Sequence, residues 1–318
     1  RPLTSSCDTM PKRKTPATGY SDLSCSEVLL EHGTRRERLA TCLRLGYGVA
    51  AICSKVVAPL DATHKCHFEP MDPLSLRNAH SKAKTTLNAV LQLGRTLGQL
   101  EQLSRLTVVA EDGPQAQLAC TFEAVTSTYD ILAIQPQNEK TLALACTSLP
   151  VDIISLDLTK RLAYRFKPST IAAAMARGVY FEVCYSALLR DSTTRKQFIS
   201  NVAALVRETR GRGILLSSGA RTVLDLRRPV DVVNLGGLLG LTQQQAQHTV
   251  TRAPQEVLRH ARARKAHRGV LSVTKANPND IAELTPDISV VHPFGAAAGT
   301  TNPRAVKRTF SQLHGVAT

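Results

Sequence analysis

The sequence predicts an α/β barrel of parallel strands, and three observations carry that expectation. Apolar runs of strand length recur along the chain, and helical patterns separate nearly all of them. About seven such units fit within about 255 residues, the size of a (β/α) barrel. A doubly wound open sheet is the competing architecture, but the Gly-x-Gly-x-x-Gly turn that would favour it does not follow the first strand. The barrel is expected over residues 18–274, between a disordered leader (1–17) and a disordered tail (275–318) poor in periodic pattern.

Taken in order, Tyr20-Ser21-Asp22-Leu23 opens the first strand. Residues 35–45 are charged and leucine-spaced, so they read as a helix that Gly46 stops. Val49-Ala50-Ala51-Ile52-Cys53 is the second strand. Residues 58–76 hold Pro59, Pro70 and Pro73 and read as a loop. A helix is expected over 76–103, then strands at 106–110, 129–134 and 151–157, with helices over 115–125 and 138–146; Asn138 is a plausible N-cap for the last of these. A strand around Tyr180, a long helix after Arg190 and a strand at Ile214-Leu215-Leu216 form a βαβ unit. Thr242-Gln243-Gln244-Gln245 has the form of a capping box. Pro254 falls in the first turn of a basic helix that Gly269 ends, and 270–273 is a last edge segment.

Composition narrows the function classes. The 318 residues are 43% hydrophobic and only 4% aromatic, with no tryptophan, so the core is aliphatic. No apolar run approaches the ~20 residues that span a bilayer, and no secretory signal pattern follows the first basic residues. No membrane partner is therefore expected. Eight cysteines without a Cys-x-x-Cys pair read as reduced thiols.

The formal net charge is +15, and residues 158–268 hold almost all of it: 20 Lys and Arg against 6 Asp and Glu, a net of +14. A folded region with that excess attracts a polyanion such as RNA; the competing view is a solvated face. In a barrel, Lys160, Arg161, Arg165 and Lys167 follow one strand, Arg190, Arg195 and Lys196 the next, and Arg221, Arg227 and Arg228 the one after. All three groups would gather on one rim, because parallel strands point the same way. Arg259 and Arg262, on the later basic helix, complete the candidate RNA-binding set. The cluster Pro11-Lys12-Arg13-Lys14 has the form of a nuclear signal or a nucleic-acid contact.

Enzymatic chemistry finds less support. Barrel enzymes work at the C-terminal ends of their strands, where this chain offers Lys55, Gln135, Asp157, Glu182, Tyr185, Ser217 and Ser218. No histidine lies at a strand end, and no two carboxylates pair for acid–base work. Glu182 is open to two readings, a metal ligand or general base, or a core carboxylate hydrogen-bonded to backbone or hydroxyls. His64-Lys65-Cys66-His67 places three metal-ligand types in one loop but has no second pair elsewhere. The alternative function is a metal-dependent phosphoesterase using Glu182, His64, Cys66 and His67.

Several short matches then converge. They are Tyr20-x-Asp22-Leu23, Leu45-Gly46-Tyr47, Tyr129-Asp130, Val151-Asp152, Lys167-Pro168, Arg177-Gly178, Phe181-Glu182 and Tyr185-Ser186. The matches are densest from Lys167-Pro168 onward, where they continue through Asp191-Ser192-Thr193 with Arg195, Ser217-Ser218-Gly219-Ala220, Arg228-Pro229, Asp231-Val232 and Asn234-Leu235-Gly236. At these residues the chain resembles the thirty-kilodalton protein subunit of ribonuclease P, which is shared with RNase MRP. The resemblance runs from about Tyr20 to Val273. It implies a TIM-barrel-like fold related to PHP phosphoesterases but lacking their metal ligands. It further implies a non-catalytic scaffold that grips ribonuclease P RNA, pairs with a small protein subunit and other ribonuclease P and MRP proteins, and meets precursor tRNA indirectly. The RNA, with its Mg2+, performs the cleavage; no cofactor is expected on this chain, and the assembly is expected in the nucleus and nucleolus.

Overall fold

Runs such as Ile131-Leu132-Ala133-Ile134 have no polar face to offer water, so they must be covered on both sides. A barrel does this by giving one face of each strand to a closed interior and the other to surrounding helices. The computed structural model describes residues 19–26, 32–60, 64, 66–72, 76, 100–162, 164–190 and 192–266. Seven parallel strands lie in sequence order: β1 (Tyr20–Ser26), β2 (Tyr47–Val57), β3 (Glu101–Ala110), β4 (Ile131–Pro136), β5 (Ile153–Ser155), β6 (Tyr180–Cys184) and β7 (Ile214–Ser217). A parallel bridge between Cys25 and Ala220 brings the first strand against the chain leaving the last, so the sheet nearly closes.

Among the described residues the helices are α1 (His32–Leu45), α2 (Gly113–Thr121), α3 (Glu123–Thr126), α4 (Glu139–Thr147), α5 (Pro168–Ala176), α6 (Ser186–Arg190), α7 (Ser192–Thr209), α8 (Pro229–Leu238), α9 (Gln243–Val250) and α10 (Arg252–Ala266). Outward strand residues Leu106, Val108, Ile134, Ile154, Phe181, Val183, Ile214 and Leu216 join a core with residues of α2, α4, α5, α7, α8 and α9. Gly236 lets α8 and α9 approach closely: a Cβ there would lie 2.9 Å from that of Ala246.

The inward residues Leu23, Val49, Ala51, Leu103, Ile131, Ala133, Ile153 and Leu215 form a second core with Ala253, Val257 and Leu258 of α10. The last helix therefore plugs the mouth where the strands begin. Its basic residues hold it there. Asp152, fully buried just before β5, accepts hydrogen bonds from the Leu132 amide (2.9 Å) and from Arg264 (Nε 3.1 Å, Nη2 2.9 Å). The His260 ring nitrogen lies 2.8 Å from the same carboxylate. Arg262 pairs with Glu101 (3.5 Å), Lys265 with Asp130 (3.6 Å), and the Tyr180 hydroxyl donates to Glu256. Replacing Arg264 by methionine is expected to lower stability by about 2 kcal/mol, because Asp152 keeps its other partners. Chemical denaturation measures the loss, and faster proteolysis of α10 should accompany it.

The structure moves several sequence-based boundaries. β3 begins at Glu101, inside the stretch whose leucine spacing reads as helix 76–103. The spacing misleads because Leu103, Arg105 and Thr107 alternate into the barrel, while the Gln102 amide bonds both the backbone N–H and C=O of Met71 (2.9 and 2.7 Å). The helix expected over 115–125 breaks at Phe122 into α2 and α3. The strand expected over 151–157 shortens to 153–155, and the one at Ile214-Leu215-Leu216 extends to Ser217. Residues 270–273, the leader 1–17 and the tail 275–318 lie outside the described residues.

Candidate nucleic-acid interface

The barrel interior is where catalytic groups of a barrel enzyme converge, and here an ion pair fills it. Glu182 on β6 and Arg105 on β3 face each other across the lumen, 0% and 1% exposed. The guanidinium grips both carboxylate oxygens (2.5 and 2.6 Å), and its remaining donors reach the Leu23 carbonyl (2.8 Å) and the Thr107 hydroxyl (3.1 Å). Parallel register sets Ser155 beside Glu182. Burial alone would push the Glu182 carboxyl up; Arg105 outweighs it and holds the carboxyl below the ordinary range. A carboxylate sealed in the lumen, bidentate on an arginine and held ionised by it, is a poor proton acceptor. Of the two readings of Glu182, the structure therefore supports the core carboxylate, with an arginine as its main partner. Arg105 is the residue that sequence reasoning missed.

The phosphoesterase ligand set does not assemble. His64 stacks on Tyr129 (centroids 6.1 Å apart, 9° between planes), and its Nε2 lies 2.9 Å from the Tyr129 hydroxyl. Glu182 is sealed by Arg105. Among the described residues, one group has metal-ligand proximity, Asp22, Cys25 and Cys42. Its donors are already engaged: Asp22 accepts from the Ser218 amide (2.9 Å), the Ser24 amide (3.3 Å) and the Cys25 thiol (3.5 Å). The neighbouring Cys42 thiol, together with burial, pushes the Cys25 thiol well up.

The short sequence matches near the two ends of the barrel meet at its closing seam. Asp22 of β1 ties to Ser218 beyond β7, and the Ser218 hydroxyl donates to the Ser24 carbonyl (3.1 Å). The Ser186 hydroxyl donates to the Gly219 carbonyl (3.1 Å). Gly219 has φ +58°, and a Cβ there would lie 2.8 Å from that of Cys184, so glycine alone fits. The Tyr47 hydroxyl donates to the Arg227 carbonyl (3.0 Å), the Arg227 amide donates to the Tyr185 hydroxyl (3.2 Å), and Arg38 reaches the Ala220 and Arg221 carbonyls. Asp225 closes the turn by accepting from the Arg221 and Thr222 amides. This network fixes the segment 218–228 on the rim.

The three sequence-predicted cation groups follow β5, β6 and β7, which are adjacent strands, so they do share that rim. Their states differ. Lys160 is 82% exposed and lies 4.0 Å from Asp157. Lys167 pairs with Glu139 (2.6 Å). Arg195 donates to the Leu188 carbonyl (2.9 Å), and Arg227 donates to the carbonyls of Leu224 (2.7 Å) and Leu226 (3.0 Å). Arg161, Arg165, Lys196, Arg221 and Arg228 are exposed and have no acidic partner among the described residues. Arg190 closes α6, and its side chain lies outside the described residues. Arg259 and Arg262 sit on α10 at the opposite mouth, apart from the rim. Free guanidinium and ammonium groups on a fixed frame suit phosphate contacts.

Comparisons with known proteins agree with this geometry. A family model described as RNase P subunit p30 matches residues 20–266. The chain is 32% identical over 241 residues to the mouse (Mus musculus) ribonuclease P protein subunit p30, covering 76% of this chain and 85% of that one. It is 30% identical over 285 residues to Protein GAMETOPHYTE DEFECTIVE 1 of Arabidopsis thaliana, covering 88% of this chain but 48% of that protein. The chain thus spans about half the length of the plant relative. A chain in a cryo-EM structure of archaeal ribonuclease P with mature tRNA shares the fold, with TM-score 0.54 at 12% identity over 80% of this chain and 98% of that chain.

Proposed function

The chain belongs to the RNase P subunit p30 family, and from that premise we propose that it is a non-catalytic, RNA-gripping protein subunit of ribonuclease P and of RNase MRP. The observation that carries this reading is the contrast between lumen and rim. In the lumen the buried Glu182 carboxylate is held by Arg105, while exposed cations without acid partners among the described residues crowd the rim after β5 to β7. In this reading the RNA, with Mg2+ at its own phosphates, removes the 5′ leader of precursor tRNA, and the barrel contributes grip. The small protein subunit docks on the same rim, where Leu224 (83% exposed) and Val230 offer apolar surface between and beside Arg221 and Arg228. The assembly works in the nucleus and nucleolus; Pro11-Lys12-Arg13-Lys14, outside the described residues, fits that address.

A cleavage assay tests the reading. The purified chain, with Mg2+ or Mn2+, should leave precursor tRNA and a simple phosphodiester intact. The complex captured on the tagged chain should release the 5′ leader and lose that activity after nuclease digestion of its RNA. Cleavage by the purified chain, or activity that survives the nuclease, contradicts the proposal.

A further inference from the structure

A cleft of about 560 Å3 runs between the β5–α5 connection and the outer face of α7. Gln197, Asn201, Ala204 and Glu208 line one wall at helical spacing, and Arg161, Tyr164 and Arg165 line the other. The cleft is pre-formed rather than incidental. Asn201, largely buried, donates from Nδ2 to the carbonyls of Leu158 and Lys160, both at 2.8 Å, and accepts from Gln197 Nε2 (2.9 Å). These bonds hold the connection at a set distance from α7. Tyr164 and Phe166 pack edge to face (6.1 Å, 77°) and give the cleft a part-apolar floor.

Its charge is one-sided. Arg161, Arg165 and Arg207 border it, against Glu208 alone. Arg207 stays 75% exposed and lies 4.0 Å from its sequence neighbour Glu208, a weak surface pair. The volume falls in the range of sites that enclose small ligands. Guanidinium forks match phosphate oxygens, and a part-apolar floor suits a sugar or base. A duplex presents only its phosphate ridges to such a cleft, whereas an unpaired nucleotide can enter it.

We propose that this cleft holds one unpaired nucleotide of an RNA strand, with its flanking phosphates on Arg161, Arg165 and Arg207 and its base or sugar against the Tyr164 floor. The inference rests on the RNA-subunit reading but is narrower. A rim of diffuse charge treats single and double strands alike; a cleft separates them.

Two variants of the full chain test it. Ala204→Trp fills the cleft without changing charge, and Arg207→Glu reverses an exposed charge that the rim groups do not include. Thermal melting confirms that each is folded. The probes are a short oligouridylate and a blunt RNA duplex. Each variant should weaken the oligouridylate about tenfold, the scale of one base contact, and Ala204→Trp should leave the duplex unchanged. If Ala204→Trp leaves both RNAs bound as before while Arg161→Glu weakens both equally, the cleft proposal falls and the RNA-subunit reading stands. If Ala204→Trp releases a protein subunit from the purified complex and spares RNA binding, the cleft is a protein contact and the proposal is overturned. If the wild-type chain binds neither RNA, both readings fail.

Discussion

Replacing Glu182 by leucine is expected to lower stability by about 3–5 kcal/mol, the cost of leaving a buried charge without its partner. Arg105 is 1% exposed and cannot turn to water, and its bonds to Leu23 and Thr107 do not neutralise it. For a barrel of about 250 residues, that loss corresponds to a fall in melting temperature of about 6–10 °C. The double variant Arg105→Met with Glu182→Leu should recover most of it, because no unpaired charge remains. The pH profile gives a second signature. The folded Glu182 carboxyl titrates below its unfolded value, so its contribution is fully present above the ordinary carboxylate range and is lost as pH falls through the depressed folded value. Acid unfolding of the double variant should lack that component. A single variant as stable as wild type, or a double variant no better than the single, would show that the lumen pair is not what holds β3 to β6.

Reversing Arg161, Arg165, Lys196 and Arg228 to glutamate is expected to weaken binding of ribonuclease P RNA by about 100-fold or more near physiological salt. Each lost phosphate contact should also flatten the salt dependence, by about 0.7–0.9 in the slope of log affinity against log salt. Arg227 is left in place because its guanidinium donates to two carbonyls of its own turn, and reversing it would disturb the segment as well as the charge. Filter binding over a range of KCl concentrations reads both effects. All four side chains are exposed, so melting should move little. An unchanged slope would place the RNA elsewhere on the surface.

Local patterns in the sequence carried far in this chain. Strands buried on both faces show as unbroken apolar runs, which is why β4 and β7 are legible. Gly46 does end α1 with φ +94°, Asn138 does cap α4 by accepting from the Thr141 amide (2.8 Å), and Thr242 with Gln245 forms the expected capping box. Each of these is set by residues within four positions of one another. What the sequence hides are pairings across long stretches of chain. Arg105 and Glu182 are 77 residues apart, and Asp152 and Arg264 are 112 apart. The charge count therefore assigns the whole basic helix α10 to a polyanion, although Arg262, Arg264 and Lys265 pair with acids at the strand starts and the helix's apolar stripe closes the barrel. Arg105 escapes notice for a related reason. It sits in the middle of a strand whose first half imitates a helix by its leucine spacing, so its inward direction has no local signal.

In the function proposed above, an inert lumen and a cationic rim make this barrel a holder of ribonuclease P RNA. Sequencing the RNA recovered with the tagged chain, beside the four-site rim variant, tests it most directly. Ribonuclease P RNA should dominate the wild-type sample and be lost from the variant, while the variant melts as wild type does. Recovery of no such RNA with the wild-type chain, or equal recovery with the folded variant, would contradict it.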